Sequence, residues 1–108
     1  MIDGLNEYLE HIKQSYTNWW TANGQTEMTD IQKEMAKDFE ASVRYEVGRK
    51  YIKVIGNSAV HSFVCLNDSG KFRKGDILMA AGWASPATNF ARGNVVDRNF
   101  AKTRWTGA

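Results

Sequence analysis

An α+β domain is what this chain predicts: two N-terminal helices packed on a small, mainly antiparallel β-sheet, with two short helices inserted before the last strands. Three observations carry that expectation. Apolar residues recur at three- and four-residue spacings up to residue 47, and after Gly48 they give way to β-branched and aromatic runs broken by turn residues. The charge changes sign at the same place. Residues 1–48 hold four basic against nine acidic residues, about −5, whereas residues 49–108 hold ten basic residues against Asp68, Asp76 and Asp97, about +7. The formal total of +2 hides this division. Fields between exposed charges act within roughly 8 Å at physiological salt, so a polyanion would be met by the basic half.

The first helix follows from Leu5, Tyr8, Leu9, Ile12, Tyr16, Trp19 and Trp20, which fall in one stripe, with Glu7, Glu10, Lys13 and Gln14 on the other faces. Asn23 and Gly24 are its expected stop. Thr29 opens the second helix, with Gln32 at capping-box spacing and Asp30 in the first turn, where the helix dipole favours an anion. Its stripe is Met28, Ile31, Met35, Phe39, Val43 and Val47, and Gly48 is the expected stop. Beyond it, Tyr51 to Ile55 and Val60 to Leu66 read as a β-hairpin around Gly56-Asn57-Ser58, closed by a second turn at Asn67-Asp68-Ser69-Gly70. Val60, Val64 and Leu66 are expected on one face of the second strand and Phe63 and Cys65 on the other, which makes it an interior strand. Asp76 then caps a predicted short helix over 77–81 ending at Gly82, and Ser85-Pro86 starts another that stops at Gly93. Val95-Val96 and Thr103 to Thr106 are the expected last strands, joined through Asp97-Arg98-Asn99.

At 108 residues the chain is read as one domain, 1–108, able to bury about two-thirds of its unfolded surface. No apolar run approaches the roughly 20 residues of a membrane span, and the N-terminus lacks a signal-peptide pattern. No membrane role is expected. The single Cys65 lies in an apolar run and reads as a buried thiol in a reducing compartment.

The run GKFRKGDILMAAGWASPATNFARGNVVD (Gly70 to Asp97), followed by RWTG (Arg104 to Gly107), resembles a group of small uncharacterised proteins from tailed bacteriophages. That group shares Lys-Phe-basic-Lys-Gly-Asp (here Lys71 to Asp76), then Ala-x-Trp-x-x-Pro-Ala (Ala81, Trp83, Pro86, Ala87). Ala-Arg-Gly-Asn (Ala91 to Asn94) and Trp-Thr-Gly (Trp105 to Gly107) complete the pattern. Met79 stands where the group's pattern has Lys. The resemblance covers about the C-terminal half and brings no activity with it. It implies a phage origin, hence action in the cytoplasm of the infected bacterial host.

Candidate nucleic-acid-binding residues are Lys71, Phe72, Arg73, Lys74, Arg92, Arg98, Lys102 and Arg104, with Phe90, Phe100 and Trp105 interspersed. Phosphates require the cations and unstacked bases require the rings. Against this stands a solvated basic face with its aromatics turned into the core, the reading preferred for the rings, with the charges left open. Asp76 reads as a turn and cap rather than an acid catalyst or ligand, because no second carboxylate follows within twenty positions. His11 and His61 have no partner at zinc-ligand spacing, and no cofactor is expected. His61 and Cys65 fall on one strand face, about 13 Å apart at roughly 3.3 Å per residue, too far for a nucleophile and its base. Catalysis is therefore disfavoured. Arg92-Gly93-Asn94 reads as a helix C-cap, and Trp83 and Trp105 as core anchors. Trp19 and Trp20 point about 100° apart, so one of them lies at or beyond the edge of the stripe, as a protein-binding residue or part of the core.

The expected function is thus a non-enzymatic phage accessory protein whose basic half contacts nucleic acid or a nucleic-acid-bearing host complex. The alternative is an inhibitor of a host defence or transcription protein that binds through the acidic, Trp-bearing helices. A minor virion component is a third class.

Overall fold

The computed structural model describes residues 1–21 and 25–108. Helices α1 (Ile2–Trp20) and α2 (Asp30–Ser42) precede strands β1 (Arg44–Val47), β2 (Tyr51–Gly56), β3 (Ala59–Cys65), β4 (Asp76–Met79) and β5 (Gly93–Asn94). The strands form one antiparallel sheet in the order β1-β2-β3-β4-β5. Each strand therefore pairs with its neighbour in sequence.

Helix α1 buries Leu5, Tyr8, Leu9, Ile12 and Tyr16 as the spacing requires. They meet Ile52, Val54, Val64, Ile77 and Val95 from the sheet and the chain beyond it, which forms the main core. Gly4 permits this closeness, because a Cβ there would lie 1.9 Å from the Val95 carbonyl oxygen. The expected helix stop at Asn23-Gly24 lies outside the described residues. Helix α2 begins as predicted: the Thr29 side chain accepts from Gln32 N–H, and the Gln32 side chain accepts from Thr29 N–H. It ends earlier than expected, at Ser42. Val43 to Val47 also alternates apolar and polar, and Arg44–Val47 gains a ladder against β2, so Gly48 closes a strand turn (Gly48 N–H to Tyr51 O, 2.9 Å) instead of a helix. Of the predicted stripe, Phe39 and Val43 are buried while Ile31 (72%) and Met35 (45%) are exposed.

The β2–β3 hairpin forms around Asn57 and Ser58, whose φ values of 54° and 64° fit a two-residue turn with both central positions left-handed. β3 lies between β2 and β4 and is buried from His61 to Cys65. Its alternation breaks once. Val54 pairs with Ser62 and Ile55 with Val60, so His61 is an extra residue in a β-bulge. The bulge moves Val60 to the face of Phe63 and Cys65, correcting the expected grouping with Val64 and Leu66.

Neither inserted short helix exists. Residues 76–79 are strand β4, in which Ile77 meets the helices and Leu78 meets Phe63 on the opposite face, so each face of a strand is buried where a short helix would bury one stripe. After β4 the chain doubles back through a tight loop (Ala81 N–H and Gly82 N–H to Ser85 O, 2.9 and 3.1 Å), and Ala80 bridges Pro86. The last strands also differ. Val95-Val96 is part of a turn closed by the Asn94–Asn99 bridge, and residues 103–106 enter a turn closed by Arg104–Gly107. From Phe100 onward the chain lies along α1: the Phe100 ring stands 5.4 Å from those of Tyr8 and His11, and Trp105 packs at 4.9 Å edge-on to Tyr16.

Candidate nucleic-acid interface

The sheet face away from the helices carries Phe63, Cys65 and Leu78, with Tyr51, Val60, Phe72, Ala80 and Ala91 packed around them. Neither described helix packs against this face. It is overlain by the irregular segment 80–92, which leaves Trp83 58% and Phe90 54% exposed. Trp83 is thus no core anchor, correcting the sequence reading; Trp105 does pack against the core.

Three cations lie over aromatic rings in this outer layer. Lys53 Nζ is 4.6 Å from the Trp83 ring, Lys71 Nζ 5.3 Å from Phe72, and the Arg92 guanidinium 3.7 Å from Phe90. Asn89 ties two of them together: its carbonyl accepts from Lys71 Nζ (2.6 Å) and its side-chain oxygen from Arg92 Nη1 (2.8 Å). Phe72 is half-buried on Phe63 and Leu78 with one cation at its ring, between the core position preferred for the rings and a fully exposed one.

The other predicted cations divide. Arg73 is exposed and pairs with Asp97 at 2.6 Å, a contact that raises its pKa further. Lys74 is exposed, and its backbone N–H donates to Asp68 (2.8 Å). Arg73, Arg92 and Lys102 border one cleft of about 200 Å³, together with Asp76 and Asp97. Arg98 pairs with Glu7 of α1, and Arg104 faces a separate groove of about 560 Å³ with His11 and Trp19. The eight predicted residues are therefore not one surface: Lys71, Phe72 and Arg92 belong together, whereas Arg98 and Arg104 flank the helical layer. Four ion pairs form among the described residues, and of the ten basic residues after Gly48 they engage Arg73 and Arg98, leaving eight without a carboxylate partner there.

Asp76 caps no helix. One carboxylate oxygen accepts from Arg73 N–H (2.8 Å) and the other from Asn94 Nδ2 (2.8 Å), while Asn94 Oδ1 accepts from Val96 and Asp97 N–H. Gly75, at φ 89°, makes the turn into β4. Asn94 accordingly braces two turns rather than ending a helix.

The bulge turns His61 toward α1, away from Cys65. His61 Nε2 donates to the Arg104 carbonyl, so Nδ1 is the acceptor and takes the Ser62 hydroxyl at 2.8 Å, and Ser62 in turn accepts from Tyr8 at 2.7 Å. Burial raises the Tyr8 pKa and lowers that of His61. Ser62 and His61 are neighbours in the chain, so their spacing gives no sign of this contact, and Ser62 has no exposed surface. Burial, with Asp76 nearby, pushes the Cys65 thiol up to about 11, which favours the unreactive protonated form. No cluster of three or more His, Cys, Asp or Glu that would hold a metal occurs among the described residues, and no described helix is long and apolar enough to cross a membrane.

No family model, curated protein or solved structure matches this chain.

Proposed function

We propose that this protein is a non-enzymatic bacteriophage accessory protein whose basic C-terminal half contacts nucleic acid, or a host complex that carries it, in the cytoplasm of the infected cell. The observation that carries the reading is the eight cations after Gly48 that no carboxylate neutralises among the described residues, several of them set beside aromatic rings. Uncompensated cations release the counterions of a phosphate backbone on binding. The phage origin rests on the motif order from Gly70 to Gly107. The non-enzymatic reading is supported by Ser62, whose hydroxyl is sealed beneath α1.

A salt titration of binding to a duplex oligonucleotide tests this. Neutralising about four phosphates gives a log-log slope near −3.6, at about −0.9 each. Replacing Lys71, Arg73 and Lys74 with Ala should flatten it by about 2 units, since Arg73 is already held by Asp97. No binding to any nucleic acid at about 50 mM salt would defeat the reading.

A second reading is favoured by a different observation. The acidic helices expose Trp19 (59%), Ile31 (72%) and Met35 (45%), an apolar display suited to docking on a host protein as an inhibitor. Under that reading Trp19→Ala abolishes the interaction without unfolding the domain.

A further inference from the structure

We infer that the irregular segment 80–92 is a stacking platform for single-stranded nucleic acid, with unpaired bases on Trp83 and Phe90 and phosphates on Lys53, Lys71 and Arg92. The inference rests on the nucleic-acid reading above and names which nucleic acid and which residues. Trp83 and Phe90 are large aromatic side chains of the irregular segment 80–92, each more than half exposed and each already paired with a cation. Exposed rings of this size carry an unfavourable hydration that a flat π-face relieves, and every base has such a face. A duplex hides those faces in its own stack.

The charges around the rings select the same ligand. Beside Lys53 a groove of about 380 Å³ runs between the β1–β2 turn and Ala84, the residue after Trp83, and is bordered by Arg49 and Lys50. Its one lining carboxylate, Glu46, is held by Arg44 at 2.6 Å. At the other end of the segment, Asn89 fixes Lys71 and Arg92 within one contact network, while the backbone N–H of Phe90 donates to the Asn89 side chain (2.8 Å) and so fixes the ring's own loop. Positioned cations and pre-set rings reduce the ordering cost that a flexible strand imposes on binding. An acidic peptide would satisfy the ammonium and guanidinium groups but would give Trp83 and Phe90 nothing flat to cover.

The test measures fluorescence anisotropy of a labelled single strand of about 12 nucleotides, as DNA and as RNA, against a duplex of the same sequence at about 50 mM salt. The single strand should bind more tightly than the duplex. Trp83→Ala and Phe90→Ala should each weaken single-strand binding by about tenfold while leaving duplex binding within twofold, and Trp83→Phe should restore most of the loss, since a smaller ring still stacks. Both positions are exposed, so circular dichroism should show the fold intact in each variant. If the double variant binds the single strand as wild type does, the platform is overturned while the broader nucleic-acid reading stands. Failure of every nucleic acid to bind overturns both.

Discussion

The two faces of this sheet are finished in opposite ways. The face beneath the helices is sealed by Leu5, Tyr8 and Ile12 against Ile52, Val54, Val64, Ile77 and Val95, all at 1% exposure or less. The other face is closed by a segment without regular structure, whose large rings stay half in water and whose order depends on individual polar contacts. Burial of apolar area holds the first layer, and it is spread over many residues. In the second, single residues such as Asp76, Asn89 and Asn94 each hold a stretch of backbone. The comparison teaches where change is tolerated: the helical face carries the stability, and the outer face is free to present cations and aromatics to a partner.

The largest expected effect breaks the sealed side. Tyr8 is fully buried and joins α1 to β3 and to Phe100. Tyr8→Ala removes the ring, leaves a cavity and takes away the donor to the Ser62 hydroxyl, which keeps its bond to His61; it should cost about 3–5 kcal/mol in urea denaturation, enough to unfold much of a domain of this size at 37 °C. A cost below that of Asp76→Ala would mean the helix layer is not the principal source of stability.

Asp76→Ala sharpens the contrast, because it removes a single side chain from the turn entering β4. Arg73 N–H loses its acceptor and Asn94 Nδ2 keeps only the Lys74 carbonyl, at 3.1 Å. The expected cost is about 1–3 kcal/mol, the penalty for an unmade buried hydrogen bond. Amide exchange should localise it: Arg73, Val96 and Asp97 should lose protection before the strands β2 and β3 do.

The same contrast decides what could be read from the sequence. α1, the Thr29 cap and the β2–β3 hairpin were legible because periodicity and turn chemistry are local, and the tertiary structure agrees with them. β1 was not, since Val43 to Val47 fits a continuing helical stripe as well as a strand, and the choice was made by pairing with β2. The segment 71–94 misled for a related reason. Asp76 and Ser85-Pro86 are residues that can start a helix, yet neither is followed by an apolar stripe long enough to fix one, and the actual order comes from contacts such as Asp76–Asn94, 18 residues apart. A bulge shifts the face of every residue beyond it, so one extra residue at His61 was enough to misplace Val60. The candidate site was legible in part: Lys71 and Arg92 stand out as cations beside aromatics, whereas Lys53 lies in a strand far from Trp83 in sequence and meets it only through the fold. An aromatic residue type does not say whether Trp83 and Phe90 are buried or, as here, exposed.

The smallest expected effect is a pH dependence confined to the sealed side, where His61 is the buried titrating group. Its Nε2–H is committed to the Arg104 carbonyl and its Nδ1 to the Ser62 hydroxyl, so a second proton would have to displace the Ser62 donor inside a buried site. Burial therefore holds the folded-state pKa below the ordinary value of 6.5. Above about pH 6.5 the ring is neutral in both states and stability is flat with respect to this group. Below it the unfolded chain binds a proton that the folded chain resists, so stability falls as pH drops, by no more than about 1.4 kcal/mol per pH unit for one group. Carboxylates titrate lower, which leaves about pH 5 to 6.5 as the window. Urea midpoints at about pH 7.5 and 5.5 should differ in the wild type and draw together in His61→Gln, whose amide can still donate to the Arg104 carbonyl. Identical wild-type midpoints would mean that His61 accepts its proton without cost, and that this end of the sealed face is open to water.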